Sequence, residues 1–273
     1  MQNEPQSIFM QLPKISVITP SFNQADFLER TLCSVLDQGY PNLEYIVIDG
    51  GSTDGSVDVI RRYADRLTYW VSEKDSGQSE AINKGLMRAT GEWVAWQNSD
   101  DIFYPGTFSQ LADRVSRQPV AGLIIGDMSM IDVHDQILRD IKYVRPTYKA
   151  MLAEGMVLTN QAAFWRRELH QQLGYLREDL HFGFDFEWFL RILESGVRAE
   201  HVRGMWGGLR MHQSTKTAQS QSDFTREYAS ILAGRGLPGW RKRLYQLRRL
   251  SLMVADGEWA YVTRGLRNRL WQT

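Results

Sequence analysis

The sequence predicts an α/β protein: a mainly parallel sheet flanked by helices, followed by a helical C-terminal extension. Three observations carry this. Short β-branched or aromatic runs alternate with stretches of helical periodicity over about the first hundred residues. Each run ends in a polar loop, the place where open α/β sheets bind ligands. Beyond about residue 222 the chain becomes Arg-rich and helical, and the alternation stops.

Ile15-Ser16-Val17-Ile18-Thr19 is a β-branched run closed by Pro20, which predicts a buried strand. Phe27/Leu28, Thr31/Leu32 and Val35 then recur at helical spacing until Gly39 and Pro41 break the pattern. Glu44 to Ile48 is a second strand, and Thr53 or Asp54 is placed to cap a helix carrying Val57, Ile60 and Tyr63. Leu67 to Val71 is a third strand. A helix over Gln78 to Ala89 follows, with Ala81, Ile82, Leu86 and Met87 as its apolar positions. Trp93 to Trp96 is a fourth strand that runs into Asn98-Ser99-Asp100-Asp101, and a helix starts near Thr107. Such strand–helix alternation implies parallel strands covered on both faces. Further strands are expected at Gly122–Gly126, Met128–Val133, 136–144 and Gln161–Trp165, and a helix at Phe186–Leu193 with Asp185 at its start. Trp240, Leu244, Leu247 and Leu250 mark one side of a C-terminal helix.

A chain of 273 residues accommodates one large α/β domain or a domain with an appendage. Its 32 basic and 32 acidic residues balance, so net charge gives no reason to expect a nucleic-acid partner. The distribution is uneven: nine basic residues from Arg235 onward face only Asp256 and Glu258. Cys33 is the sole cysteine, which excludes an intrachain disulfide and fits a reducing compartment. No stretch near the N-terminus reads as a secretory signal, and no apolar run approaches the ~18 residues needed to span a bilayer. The expectation is a cytoplasmic protein, with the basic C-terminal helices as a candidate peripheral contact with the cytoplasmic face of the inner membrane, Trp240, Trp259 and Trp271 as its anchors. The alternative is that these helices pack on the main domain or on a second copy of the chain.

The polar loops supply the candidate chemistry. Asp100-Asp101 follows an apolar strand directly, and a hard divalent cation favours carboxylate oxygens while leaving room for phosphate oxygens. A polar turn capped by Asn98 or Ser99 is the plainer reading of that segment alone. Asp49-Gly50-Gly51-Ser52-Thr53-Asp54-Gly55 ends the second strand; its glycines permit close backbone approach, and Asp49 is an acceptor for a base or ribose. Asp75 to Gly85 joins a loop to a helix start, where anions are favoured and Lys84 reaches toward a phosphate. Asp185, beside an apolar helix face, is a candidate general base, with Glu187 its local competitor. In Arg210-Met211-His212-Gln213-Ser214-Thr215-Lys216-Thr217, His212 is a candidate metal or diphosphate ligand, assisted by Ser214, Thr215 and Lys216.

In this order these segments, together with Ile15 to Asn23 and Phe184 to Arg191, resemble glycosyltransferase family 2 over about residues 14 to 217. The resemblance implies the Rossmann-like GT-A fold and an inverting, metal-dependent transfer. It implies a catalytic domain over 14–220, with a nucleotide-binding half (14–101) and an acceptor half (102–220). Residues 1–13 are then a tail and 221–273 a basic helical extension. Carried over by position, Asp49 contacts the uracil or ribose, and Thr19, Pro20 and Asn23 line the nucleotide pocket. Gly51, Ser52, Gln78, Lys84, Asn98 and Ser99 complete the nucleotide set. Asp100 holds Mn²⁺ or Mg²⁺ with Asp101 beside it, His212 is a late metal or phosphate contact, and Asp185 is the base. Three positions depart from the family pattern. Gly50 stands where a second aspartate is usual, Asn98 where the acidic motif often begins with aspartate, and Phe184 where glutamate is common.

The expected partners are a nucleotide-sugar donor, UDP-linked and carrying a hexose or N-acetylhexosamine, and a glycan or lipid-linked oligosaccharide acceptor of a bacterial surface polysaccharide. A rival is a sugar-nucleotide nucleotidyltransferase, which would want a Gly- and Arg/Lys-rich loop where this chain has Thr19-Pro20-Ser21-Phe22-Asn23. A second rival is a non-catalytic sugar-nucleotide or glycan-binding protein, against which an intact Asp100 and Asp185 argue.

Overall fold

A computed structural model describes residues 12–117, 121–212 and 221–270. Most of the N-terminal tail, Ser214, Thr215, Lys216 and Trp271 lie outside the described residues. Strand β1 (Ile15–Ser21) is buried at every position and lies between β2 (Leu43–Asp49) and β4 (Trp93–Trp96), with β3 (Tyr69–Ser72) beyond β2. All three pairings are parallel. Pro20, expected to close β1, lies within it. The Ile18 carbonyl accepts from the Gln97 N–H on the β4 side, so the N–H that Pro20 lacks would point past the end of that ladder, which stops at Ile18–Trp96.

The connections are helical, as the spacing predicts. Helix α1 (Ala25–Leu36) buries Leu28, Thr31, Leu32 and Val35. In α2 (Ser56–Tyr63), Gly55 takes the position before the helix and Asp54 accepts from the Ser56 N–H at 3.0 Å. Helix α3 (Gln78–Arg88) buries Ala81, Ile82 and Leu86, but Met87, expected on that face, is 61% exposed. It lies on β1 so closely that a Cβ at Gly85 would come within 2.4 Å of the Ile18 side chain.

The second half of the sheet departs from the parallel pattern. It comprises β5 (Ile102–Phe103), β6 (Leu123–Ile131), β7 (Ile137–Ile141), β8 (Ala163–Arg166) and β9 (Ala199–Arg210). The order is β3-β2-β1-β4-β8-β6-β9-β5, with β7 on β6. Here β8 is antiparallel to both its neighbours and β6 is parallel to β9, while β5 and β7 pair antiparallel. The two strands expected at 122–126 and 128–133 are one strand with register shifts around Asp127. Gly126 lies against the Trp206 ring, where a Cβ would meet ring carbon at 2.2 Å, so the irregularity occurs without ending the strand.

Helices α4 (Thr107–Arg117), α5 (Tyr148–Glu154), α6 (Glu168–Leu173) and α7 (Phe184–Glu194) join these strands. One core layer centres on Ile82, Leu86, Trp96, Trp165, Trp188 and Phe189, and the other on Leu32, Tyr45, Phe103, Phe108, Phe164 and Trp206. The C-terminal extension is α8 (Gln221–Ile231), α9 (Gly239–Ala255) and α10 (Trp259–Leu270). Ile231 at the end of α8 reaches the first core layer, whereas Trp240, Leu244 and Leu247 of α9 are 61%, 52% and 62% exposed.

Candidate active site

The loops after β1 and β2 are clasped together. Asn23, with φ of 51°, accepts from the Thr53 N–H at 2.9 Å and donates its own N–H to Ser52 at 2.8 Å. The Gln24 and Ala25 N–H groups donate to Ser56 and Asp54. Asp49 organises this clasp from beneath. It is fully buried, and its carboxylate accepts from the N–H groups of Gly51 and Ser52 and the hydroxyls of Ser52 and Ser72. Asp49 is the residue expected to contact a base or ribose, and in the structure four protein donors hold its side chain inside. The Thr19 hydroxyl meets Tyr45 Oη at 2.9 Å in the core, and Pro20 is buried beside it. Asp75 explains the glycine at position 50, because a Cβ there would stand 2.7 Å from the Asp75 carboxylate. Burial raises the pKa of Asp75 despite the Gly77 N–H that it accepts.

At the end of β4 the two adjacent carboxylates part. Asp101 is 1% exposed; it accepts from Gln161 Nε2 (2.7 Å), Asn98 Nδ2 (2.9 Å) and the Arg210 N–H (2.8 Å). Burial, and then the charge of Asp100, push its carboxyl up to about 8 against those donors. Expected beside the metal, this carboxylate anchors the loop from inside in the structure. Asp100 is the one that reaches the surface, with a side chain 18% exposed, and its Oδ2 lies 3.0 Å from His212 Nε2. The Phe27 ring lies against His212 at a centroid distance of 4.6 Å.

Arg210 joins these parts. It is fully buried and donates Nε to the Asp100 carbonyl (2.7 Å) and Nη1 to the Asp132 carbonyl (2.9 Å), and it pairs with Asp135 at 2.5 Å. Thr31 adds a hydroxyl bond to the Asp101 carbonyl. Sequence reasoning noticed Arg210 only as a donor near His212 and missed Gln161 and Thr31, because no local pattern points from α1 or from the turn before β8 to this loop. Gln78 Nε2 donates to Asn98 Oδ1 at 2.8 Å, which ties the start of α3 to the turn after β4, and Ser99 is buried in that turn. Lys84 is engaged by Glu73 and Glu80, each at 2.9 Å, and these hydrogen-bonded carboxylates raise its pKa.

Asp185 stands in the first turn of α7, half-buried, beyond the preceding Gly183. Glu227 of α8 holds the segment before it, accepting the N–H groups of His181, Phe182 and Gly183 at 2.8–2.9 Å. Burial opposes the Glu227 charge, yet these donors keep its carboxyl below the ordinary range. Tyr228 stacks on Phe186, and Phe184 packs into the core near Trp96. Glu227 was invisible to sequence reasoning because α8 falls beyond the motifs.

Among the described residues no group of three or more His, Cys, Asp or Glu side chains is gathered to hold a metal. The Asp100–His212 pair fits a cation that takes its remaining ligands from substrate: one oxygen and one imidazole nitrogen converge, and both suit Mn²⁺.

The family model for glycosyl transferase family 2 matches residues 16–174. The chain belongs to glycosyl transferase family 2. It is 34% identical over 182 residues to an uncharacterized glycosyltransferase of Mycobacterium tuberculosis, covering 66% of this chain and 68% of that protein. It is 46% identical over 92 residues to the putative teichuronic acid biosynthesis glycosyltransferase TuaG of Bacillus subtilis, a match spanning 33% of this chain and only 36% of TuaG. Among solved structures it resembles S. aureus TarS 1–349 in complex with UDP-GlcNAc, with a TM-score of 0.67 and 18% identity, over 85% of this chain and 70% of that one. It also resembles the mannosyltransferase PcManGT of Pyrobaculum calidifontis in complex with GDP-Man and Mn²⁺, with a TM-score of 0.59 and 21% identity, over 96% of this chain and 81% of that one. The family 2 chain has the mixed α/β architecture of these GT-A transferases, and among its described residues no helix is long and apolar enough to cross a membrane.

Proposed function

We propose that this family 2 chain is an inverting glycosyltransferase that moves a hexose or N-acetylhexosamine from a UDP-sugar to a hydroxyl of a glycan or lipid-linked acceptor in surface polysaccharide synthesis. The carrying observation is the Asp100–His212 pair at the carboxyl end of β4, fixed from below by Asp101 and Arg210. The teichuronic acid relative supports the acceptor class, and the UDP-GlcNAc complex of TarS supports the donor.

Asp100 and His212 would hold Mn²⁺ or Mg²⁺, which when bound offsets charge on the departing diphosphate. Asn98, Gln78 and the clasped Asn23–Ser52 loops orient the nucleotide end of the donor. Asp185 accepts the proton of the acceptor hydroxyl as that oxygen forms a bond to the anomeric carbon. The bond from that carbon to the diphosphate oxygen breaks on the opposite side, so configuration inverts. The nucleoside diphosphate leaves with the bonding pair, and the proton rests on Asp185.

The test is release of nucleoside diphosphate from UDP-, GDP- and dTDP-sugars in Mn²⁺, comparing wild type with Asp100→Ala and Asp185→Asn. One donor is expected to be turned over, and both variants to lose at least about a hundredfold in turnover, the range of one general base. Equal turnover by wild type and Asp100→Ala would sink the reading.

A further inference from the structure

A cavity lies away from the β4 loop, between β7, the segment that follows it, α5 and the C-terminal helices. It measures about 250 Å³, and Arg139, Lys142, Arg145, Arg248 and Arg249 line it against one carboxylate, Glu154. Some of that charge is already neutralised. Arg249 pairs with Glu154 at 2.6 Å, and Lys142 pairs with Asp127 at 3.1 Å and Glu258 at 3.6 Å, with Asp140 also acting on it. Among the described residues, Arg139, Arg145 and Arg248 stand in no ion pair. Three guanidinium groups at one concavity without carboxylate partners are an anion site, and their planar forks match phosphate oxygens.

The surroundings of the cavity specify what carries the anion. Helix α9 places Arg248 and Arg249 in the cavity, and its preceding two turns present Trp240, Leu244 and Leu247 to solvent at 61%, 52% and 62% exposure. Spaced four and three residues apart, these three lie on one face of the helix. Arg241, Lys242 and Arg243 are exposed among them. Ile137 and Leu138, on the same strand as Arg139, are each 59% exposed, and Trp259 at the start of α10 is 61% exposed. An apolar row that ends in a cationic cavity matches an amphiphile with a phosphate head. A basic helix with an apolar aromatic face lies in the interface of an anionic leaflet.

We infer that this cavity binds the phosphate headgroup of an anionic membrane lipid, with the Trp240–Leu244–Leu247 face of α9 lying in the bilayer interface. This would place a lipid-linked acceptor and the enzyme at one surface, yet it does not rest on the transferase reading. Asp100→Ala, which is expected to lose turnover, is expected to bind vesicles like wild type.

The experiment is co-sedimentation of the full chain with phosphatidylcholine vesicles, with and without about a third phosphatidylglycerol, a composition rich enough to give a strongly negative surface. Binding is expected only with the anionic lipid. Arg145→Ala/Arg248→Ala should raise the lipid concentration for half-binding about thirtyfold, at roughly tenfold or less per surface cation. Trp240→Ser/Leu247→Ser should weaken binding comparably, while Arg61→Ala, on exposed α2, should leave it unchanged. Melting curves matching wild type verify that the variants fold. Equal binding to both vesicles, or wild-type binding by folded Arg145→Ala/Arg248→Ala, would overturn the inference. So would stabilisation by soluble pyrophosphate with no vesicle binding, which assigns the cavity to a free phosphate. Concentration-dependent dimerisation abolished by Trp240→Ser/Leu247→Ser, again without vesicle binding, would assign the helix face to a second copy.

Discussion

Asp100 and Asp101 are neighbours in the chain with opposite surroundings, and truncating each to alanine separates their roles. In Asp101→Ala three donors lose their acceptor: Gln161 Nε2, Asn98 Nδ2 and the Arg210 N–H. Each orphaned buried donor costs about 1–3 kcal/mol, and three in one network add less than fully, so the expected loss is about 3–5 kcal/mol. For a domain of this size that lowers the melting temperature by about 10 °C. Asp100→Ala removes a partly exposed carboxylate with one bond to His212, a loss of about 1 kcal/mol or less. Its melting temperature should stay within about 4 °C of wild type. Its turnover in Mn²⁺ should fall at least about a hundredfold, since even groups behind a metal ligand are worth 10–100-fold. The assay is differential scanning fluorimetry on both variants beside nucleoside diphosphate release. Equal melting temperatures would refute the inward role of Asp101. A stable Asp100→Ala with wild-type turnover would refute the outward role of Asp100.

Three further outcomes follow from the geometry. His212→Ala should weaken Mn²⁺ binding in the presence of UDP at least about tenfold by titration calorimetry, because one of two protein donors is lost; unchanged affinity would remove His212 from the site. Glu227→Ala should cost about 1–2 kcal/mol in urea unfolding, the range of a lost helix cap, and lower kcat more than the donor KM, because it frees the segment that carries Asp185; a kcat equal to wild type would dismiss the link. His170 stacks between Trp188 and Tyr175, and burial pushes its pKa down to about 4. The unfolded chain takes up a proton below about pH 6.5 while the native ring stays neutral, so this stabilisation is present above that pH and is lost as pH falls toward 4. Its full size is on the order of 3 kcal/mol, and His170→Phe should flatten that part of the pH dependence of urea unfolding.

The first half of the fold was legible because parallel strands covered on both faces must be apolar throughout, so β1, β2 and β4 stand out as runs. The second half was not. β5 has two residues, and β9, Ala-Glu-His-Val-Arg-Gly-Met-Trp-Gly-Gly-Leu-Arg, carries no alternation because its glycines answer to neighbours. Gly207, for one, stands where a Cβ would come within 1.9 Å of the Gln161 carbonyl, a contact no periodicity announces. Helices α5 and α6, at seven and six residues, are too short to show a helical period.

The candidate site divides along the same line. The motifs placed Asp100 and His212 together although 112 residues separate them, because each sits at a strand end that the topology brings to one edge of the sheet. They did not separate Asp100 from Asp101, or show that Asp49 and Thr19 turn inward, because a motif records which side chains are present and burial decides which way they face. Asp49 spends its acceptors on Gly51, Ser52 and Ser72, so a nucleotide would meet the loop that Asp49 shapes before it met Asp49 itself. On this argument Asp49→Asn acts through the loop. It keeps the shape of the side chain but replaces an acceptor oxygen with a donor, against four donors already in place. The clasp with Asn23 and Thr53 should loosen, and donor KM should rise with kcat little changed. A fall in kcat at saturating donor would instead put the Asp49 carboxylate at the reacting end of the site.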